Sequence, residues 1–182
     1  HGLSAFGDLK YGPDFTHFDY VNVDAPKGGT FNYGPSQWLY NQNPSTFNTL
    51  NSFVAKGDAP PRMEICFDSL MTGALDEPDA IYGLLARTVT LSPDRNSFQF
   101  ALRSDARFHD GSPITAEDCA FTYRLFKEKG HPALLLPLGE LVDALVIDAA
   151  TLRLDFSGKQ SARTILEVAT FPILSKAYFE RV

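Results

Sequence analysis

Cysteine is nearly absent: the 182 residues hold two, Cys66 and Cys119, far apart and outside any Cys-x-x-Cys pattern. That spacing excludes zinc-knuckle and thioredoxin-type sites. Both lie among apolar residues on segments read below as helices, so two small buried thiols are expected. A single disulfide stays open if the chain occupies an oxidising compartment, where closing so long a loop is worth ~4 kcal/mol. Histidine is also scarce. His1, His17, His109 and His131 show no i, i+2 or i, i+4 pair, and no HExxH occurs. Basic charge is outnumbered, with 16 Lys and Arg against 22 Asp and Glu for a formal −6. A nucleic-acid binder would carry the opposite surplus. Long apolar runs are missing: the longest, residues 132–139, holds two prolines and falls far short of the ~20 residues a membrane span needs. Apolar content is not missing. At 44% hydrophobic and 21% charged residues the chain can bury a core and is not a disordered sequence.

Catalytic signatures are absent as well. There is no GxSxG elbow, no GxGxxG and no phosphate-cradling glycine loop. In Phe108-His109-Asp110-Gly111, neighbouring His and Asp on extended chain point to opposite faces, and Asp-Gly is turn chemistry, so His109 reads as structural. The chain opens on His1 without an initiator Met, which suits a processed or trimmed polypeptide with any signal peptide removed or not included. An amino-terminal histidine can chelate copper through its amine and ring, so the alternative reading is a secreted copper-dependent oxidative enzyme using His1. No other cofactor is implied. The acidic residues Glu64, Asp68, Asp76, Glu77 and Asp79 have only Arg62 as a basic neighbour and read as a solvated face.

What is present is a clear order of local signals. The first 48 residues are irregular and turn-rich, with Lys27-Gly28-Gly29 as a turn and a short strand over 30–33. A helix is predicted over 61–72 from Met63, Phe67, Leu70 and Met71, with Gly73 as its stop. Asp76-Glu77-Pro78-Asp79 reads as a turn, followed by an apolar segment over 81–86. Hairpins are predicted from 88–91 with 97–102, and from 144–147 with 151–156, on strict apolar alternation. Between them Thr115 caps a helix that Gly130 ends. Asp118 stands at the third helical position, Ile114 and Cys119 form a hydrophobic staple, and the end charges match the helix dipole. A further helix is expected from about Ser161 to Val168. The fold class is mixed α/β (α+β).

The segment after the first strand is rich in amides and aromatics: Tyr33, Gln37, Trp38, Tyr40, Asn41, Gln42, Asn43, Phe47 and Asn48. Amides offer donors and acceptors and aromatics offer flat apolar area, neither demanding a charged ligand. A pocket for an uncharged or peptide-like solute and a loop packed on its own domain fit this composition equally.

Taken in order, these residues resemble the family 5 extracellular solute-binding proteins of bacterial ABC transporters, the dipeptide- and oligopeptide-binding group. The stretch Phe108-His109-Asp110-Gly111-Ser112-Pro113-Ile114-Thr115-Ala116-Glu117-Asp118 is similar to that family's most recognisable motif. Phe67-Asp68-Ser69-Leu70 and Leu84-Leu85-Ala86 are similar to the elements before it. His17-Phe18-Asp19-Tyr20-Val21-Asn22, Ala25-Pro26-Lys27-Gly28-Gly29-Thr30 and Thr46-Phe47-Asn48-Thr49-Leu50-Asn51 resemble the YejA-type subgroup. The resemblance implies the amino-terminal part of a periplasmic binding protein type II-like fold with the extra domain of the large peptide-binding group. Residues 1–50 would open the first ligand-binding lobe, 51–179 would form the additional α+β domain, and 180–182 would return toward lobe one. It implies a periplasmic receptor without catalysis, capturing oligopeptides or related small solutes for ABC permease membrane subunits. Family members are roughly three times longer, so this span is expected to be a fragment that lacks the second lobe. Of the cleft-lining region, Tyr33, Gly34, Ser36, Gln37 and Trp38 are the matching positions, with Phe47 and Asn48 beside them.

Overall fold

The computed structural model describes every residue except Phe31, Tyr33, residues 35–38 and Val182, with Ala162 described by its backbone alone. Its larger sheet is built from the two hairpins that alternation predicts. Strands β4 (Ala86–Leu91) and β5 (Ser97–Leu102) pair antiparallel, as do β6 (Leu141–Asp148) and β7 (Thr151–Phe156). The sheet order is β4-β5-β7-β6, so the hairpins meet where Phe98 faces Leu154 and Phe100 faces Leu152. Every second residue points the same way along a strand. That places Phe98, Phe100, Leu102, Leu152, Leu154 and Phe156 on one face, all of them buried. Full burial of such side chains contributes roughly 1.5–3 kcal/mol each.

Helix α1 (Ala116–Lys129) lies on that face with Cys119, Ala120, Tyr123 and Phe126 inward. Its start is a capping box: the Asp118 carboxylate accepts the Thr115 N–H at 3.0 Å and the Thr115 hydroxyl at 2.7 Å. Glu117 and Asp118 in the first turn and Lys127 and Lys129 in the last complement the helix dipole. Gly130 ends it. A short helix α2 (Pro132–Leu135) and a 3-10 turn (Leu136–Leu138) then bury Leu134 and Leu138. Helix α3 (Ala162–Val168) is capped by Ser161, whose hydroxyl accepts the Thr164 N–H at 3.2 Å. The buried Tyr123 hydroxyl donates to the Val168 carbonyl at 2.9 Å and locks α3 to α1. The last helix, α4 (Lys176–Phe179), is a single turn.

Four expectations are corrected. The helix over 61–72 is instead a 3-10 turn (Met63–Cys66), after which the chain turns extended at Phe67 and enters β2 (Met71–Ala74). The three-and-four spacing places Leu70 and Met71 in the core, but neighbouring segments claim their backbone groups. The Leu70 carbonyl accepts from Leu84 and Ala86, and the Met71 N–H donates to Ala169. Gly73 therefore sits inside a strand, beside a register shift. Second, the turn before β3 is shorter than expected: β3 (Glu77–Gly83) already contains Glu77, Pro78 and Asp79. Third, β1 (Gly2–Ser4) pairs with β3 within the irregular amino-terminal stretch, giving a small sheet of order β1-β3-β2. Fourth, Cys119 is buried but Cys66, on the 3-10 turn, is exposed, and both thiols are free. The strand expected over 30–33 includes Phe31 and Tyr33, which lie outside the described residues.

The acidic residues also differ from a bare solvated face. Asp76 accepts from Lys10 Nζ at 2.5 Å and from the Tyr11 hydroxyl at 2.6 Å, and Lys10 also pairs with Asp19 at 2.9 Å. Glu77 accepts the Lys10 N–H at 3.1 Å and the Tyr82 hydroxyl. Behind these contacts Tyr11, Phe15, Phe18 and Tyr82 cluster with ring centroids 5.1–5.7 Å apart, mostly tilted or edge-on. Burial, then Glu77, pushes the Tyr82 hydroxyl up to about 12. The first twenty residues thus form a strap held to β3 by aromatic packing inside and charge outside.

Two outcomes follow from this architecture. Asp118→Ala should cost about 3 kcal/mol, because it strands several donors, against about 1 kcal/mol for Thr115→Ala. Urea unfolding should show this as a shifted midpoint at constant slope, and equal costs would contradict it. The second concerns pH. Lys10, then Tyr11, hold the Asp76 carboxyl below its ordinary value of 3.8. A depressed folded pKa gives stability that is full above the unfolded value and is lost as pH falls through the folded one. Amide exchange at Lys10 and Asp19 should therefore accelerate as pH drops below 3.8, beyond the intrinsic pH effect. Asp76→Asn should abolish that step, and its persistence in the variant would refute the assignment.

Candidate functional site

The motif beginning at Phe108 builds a closed loop onto α1. Arg107 bridges Pro113, Phe108 N–H donates to the Ser112 carbonyl at 2.9 Å, and Ile114 N–H donates to Ala106 at 3.1 Å. Inside the loop the Asp110 carboxylate accepts the Ser112 N–H at 2.9 Å and its hydroxyl at 2.6 Å. Those hydrogen bonds hold the Asp110 carboxyl below its ordinary value. Gly111 takes φ +84, a left-handed conformation that a side chain would strain. The far end of the motif reaches across the molecule. Asp118 accepts the Lys176 N–H at 3.0 Å, and the Thr122 hydroxyl accepts the Leu174 N–H at 2.9 Å. One helix start thus holds the irregular segment 173–175 and the first residue of α4, while the 107–111 loop is closed by its own hydrogen bonds.

Between these two segments and the 3-10 turn lies a groove of about 890 Å³. Ile65, Phe67, Phe108, Ile114, Tyr178 and Phe179 supply its apolar lining. Asp68, Arg107, His109 and Asp110 supply polar groups to the same lining. His109 is exposed there rather than packed inside. Leu50 and Asn51 reach the groove from the amide-rich loop.

From Tyr40 to Arg62 that loop is held by its own hydrogen bonds. Gln42 bridges Ala59, Asn43 N–H donates to Ala59 at 2.9 Å, and Asn48 N–H donates to Asp58 at 2.9 Å. The buried Gln42 side chain donates to Glu64 at 2.6 Å and accepts the Arg62 N–H at 3.1 Å. Asp58 accepts from Asn43 and Thr46 side chains at 3.2 and 2.9 Å. Tyr40 (φ 58) and Arg62 (φ 66) stand at its two ends in left-handed backbone. Burial first, then Glu64 and Glu167, raises the Tyr40 hydroxyl to about 12.

Of the residues expected to face a ligand, Tyr33, Ser36, Gln37 and Trp38 lie outside the described residues. Gly34 is exposed and irregular. Phe47, 63% exposed, lines a shallower depression of about 420 Å³ with Thr46 and Pro61. Asn48 is exposed, and its side-chain oxygen accepts the Asp58 N–H at 2.9 Å. The groove residues Ile65, Phe67, Phe108 and Tyr178 were not among the expected site residues. The signal available for them was the motif itself, together with the adjacent aromatics Tyr178 and Phe179. Among the described residues no group of three or more His, Cys, Asp and Glu side chains is placed to hold a metal. The His1 ring Nε2 lies 2.9 Å from the Tyr11 carbonyl, its hydrogen-bond partner.

Comparison with known proteins places this geometry. Residues 80–182 match the sequence profile described as bacterial extracellular solute-binding proteins, family 5 middle. The peptidoglycan-binding protein YepA of Agrobacterium fabrum is 36% identical over 97% of this chain and 29% of its own length. The probable peptide-binding protein YejA of the same organism is 41% identical over 70% of the chain and 19% of its own length. The chain therefore spans less than a third of these curated relatives. Among solved structures, the murein tripeptide binding protein MppA of Escherichia coli superposes with TM-score 0.56 and 20% identity, over 66% of this chain and 27% of its own. That likeness identifies the mixed α/β architecture as part of the periplasmic binding protein type II fold. With a profile match over more than half its length, this chain belongs to the bacterial extracellular solute-binding proteins of family 5.

Proposed function

We propose that this chain is the amino-terminal part of a periplasmic receptor that captures short peptides for an ABC permease, and that it works only with the rest of a two-lobed protein. The observation that carries the reading is the family match over residues 80–182. Two relatives named for peptidoglycan or murein peptide binding point the ligand class toward short peptides, cell-wall peptides included. In this reading residues 1–50 open the first lobe and 51–179 form the additional domain beside it. Tyr33, Gly34, Ser36, Gln37, Trp38, Phe47 and Asn48 face the ligand from one side only.

The chemistry suits such a ligand. Side-chain amides present both a donor and an acceptor, matching the N–H and C=O of a peptide bond without selecting a charge. Aromatic faces add apolar contact that tolerates varied side chains. A formal charge of −6 gives no general attraction to anions. A site closed by two lobes draws contacts from both, so one wall alone gives up most of the interface. The chain itself performs no chemistry on the bound solute.

Titration calorimetry on the full-length receptor, with murein tripeptide and with mixed tri- to pentapeptides, tests the proposal. Micromolar or tighter binding is expected there, with this 182-residue chain at least ~100-fold weaker, each tenfold being about 1.4 kcal/mol. The single Trp38 offers a fluorescence readout in parallel. A receptor that ignores peptides and retains a sugar or metal chelate would overturn the ligand class. Equal affinity of the isolated chain would overturn the two-lobed requirement.

A further inference from the structure

Among the described residues, His131 is the one histidine whose ring nitrogen faces a backbone N–H. Its Nδ1 accepts the Ala133 N–H at 3.2 Å, as the cap of α2. The first turn leaves no substitute. Pro132 has no N–H, and the Leu134 and Leu135 N–H groups both donate to the His131 carbonyl, at 2.8 and 3.0 Å. Ala133 therefore carries the one donor of that turn that a side chain has to satisfy. A ring nitrogen that accepts is an unprotonated one, so this bond exists only while the imidazole is neutral. The His1 ring, by contrast, meets the Tyr11 carbonyl at 2.9 Å, a contact that either protonation state can make. His17 meets the Thr16 hydroxyl, which can donate or accept.

The same residue ties α2 to the loop that precedes it in sequence. The His131 N–H donates to the Phe53 carbonyl at 2.7 Å, and the ring lies edge-on to Tyr40 with centroids 5.8 Å apart. Tyr40 in turn packs edge-on against the buried Phe53 and holds left-handed backbone at φ 58, so its place depends on these contacts. Residues 40–53 and α2 carry no charged side chain. The charges on the neighbouring elements are Glu64 on the 3-10 turn at 63–66, Arg163 and Glu167 on α3, and Lys127, Glu128 and Lys129 in the last turn of α1. Among the described residues no carboxylate forms an ion pair with the His131 ring, so no direct partner replaces the lost hydrogen bond when the ring is charged. The Tyr40 hydroxyl, raised to about 12, stays neutral throughout the range in which histidine titrates. We propose that His131 is an acid-released clasp. As pH falls from about 8 to about 5, a proton from solvent settles on Nδ1 and the ring gives up the Ala133 N–H. The start of α2 and the Tyr40 end of the loop then loosen together. A bond open to the neutral ring alone gives stability that is complete above the histidine range and lost as pH falls through it. The backbone bond to Phe53 does not titrate, and the buried Leu134 and Leu138 keep α2 docked, so the response is local. Tyr40 follows closely on Trp38, so the clasp adjoins the segment assigned to the ligand, yet the inference needs neither a solute nor a second lobe.

Hydrogen exchange read by mass spectrometry tests the clasp on the whole protein without added solute, with labelling times scaled to the intrinsic rate at each pH. Between about pH 7.5 and about 5.5, exchange in residues 133–136 should rise about fivefold, the effect of losing a typical cap. Residues 40–42 should rise over the same range. His131→Asn keeps a good capping acceptor that cannot titrate, so neither segment should then respond to pH. His131→Ala removes the acceptor, so residues 133–136 should exchange fast at both pH values. A rise that persists in His131→Asn would assign the titration to another group and overturn the clasp. So would a native protein without the rise, or a rise in 133–136 that leaves 40–42 unmoved. Should the alanine variant not fold, His131→Asn decides alone. Because no peptide enters the experiment, failure of the peptide reading leaves each of these outcomes as it stands.

Discussion

The carboxylate of Asp118 is the point on which the structure turns. It is almost fully buried, and it accepts hydrogen bonds from the Thr115 N–H, the Thr115 hydroxyl and the Lys176 N–H. A buried carboxylate without partners would be strongly unfavourable, so its position is tolerable only because these donors replace water. In return it fixes two things at once: where α1 begins, and where the chain passes after its last core residues. Thr122, one turn further along α1, accepts the Leu174 N–H and donates to the Asp118 carbonyl. The two side chains form a polar seam between helix and segment 174–176, with Tyr123 and Phe126 making the apolar side of the same helix.

The parts of the fold legible in the sequence are those whose signals are local. Alternation in 97–102 and 151–156 writes the hairpins, and Thr115 with Asp118 writes the cap, because each interaction spans only a few residues. The parts that escaped depend on partners far along the chain. Met63, Phe67, Leu70 and Met71 have helical spacing, yet Leu70 and Met71 surrender their backbone groups to Leu84, Ala86 and Ala169. An extended segment crossing a core can show the same spacing as a helix lying on one, and nothing between 61 and 72 distinguishes them. Glu77 and Asp76 likewise look solvated until Lys10 and Tyr11 are brought to them across more than sixty residues.

The candidate site divides the same way. The amide-rich character of 41–48 is plain from composition, but composition does not say which way an amide points. Gln42 turns its side chain to Glu64 and Arg62, and Asn43 turns its own to Asp58, leaving fewer polar atoms for a solute than the residue types suggest. The groove was invisible for a different reason. It is assembled from four separate stretches, around 50, 63–68, 107–114 and 173–179; three of them overlap segments that resemble the family, but nothing in those segments says that they meet. The motif marks one part of the groove, and the rest becomes recognisable only when Asp118 and Thr122 bring the last stretch alongside.

A binding surface gains from walls that do not have to be ordered by the binding event, since each side chain or loop frozen on binding subtracts from affinity. The construction here has that property on the side that can be followed. The 107–111 loop is held by Asp110 and by its bridge to Pro113, segment 174–176 by Asp118 and Thr122, and the 41–61 loop by Gln42 and Asp58. Each anchor is internal to the chain and asks nothing of a ligand. The exposed apolar side chains around the groove are the opposite case: Ile65, Leu50 and Tyr178 each keep more than half of their surface in water. The polar anchors therefore set the geometry of this face in advance, while the apolar side chains beside them contribute to it little of the burial that stabilises the core.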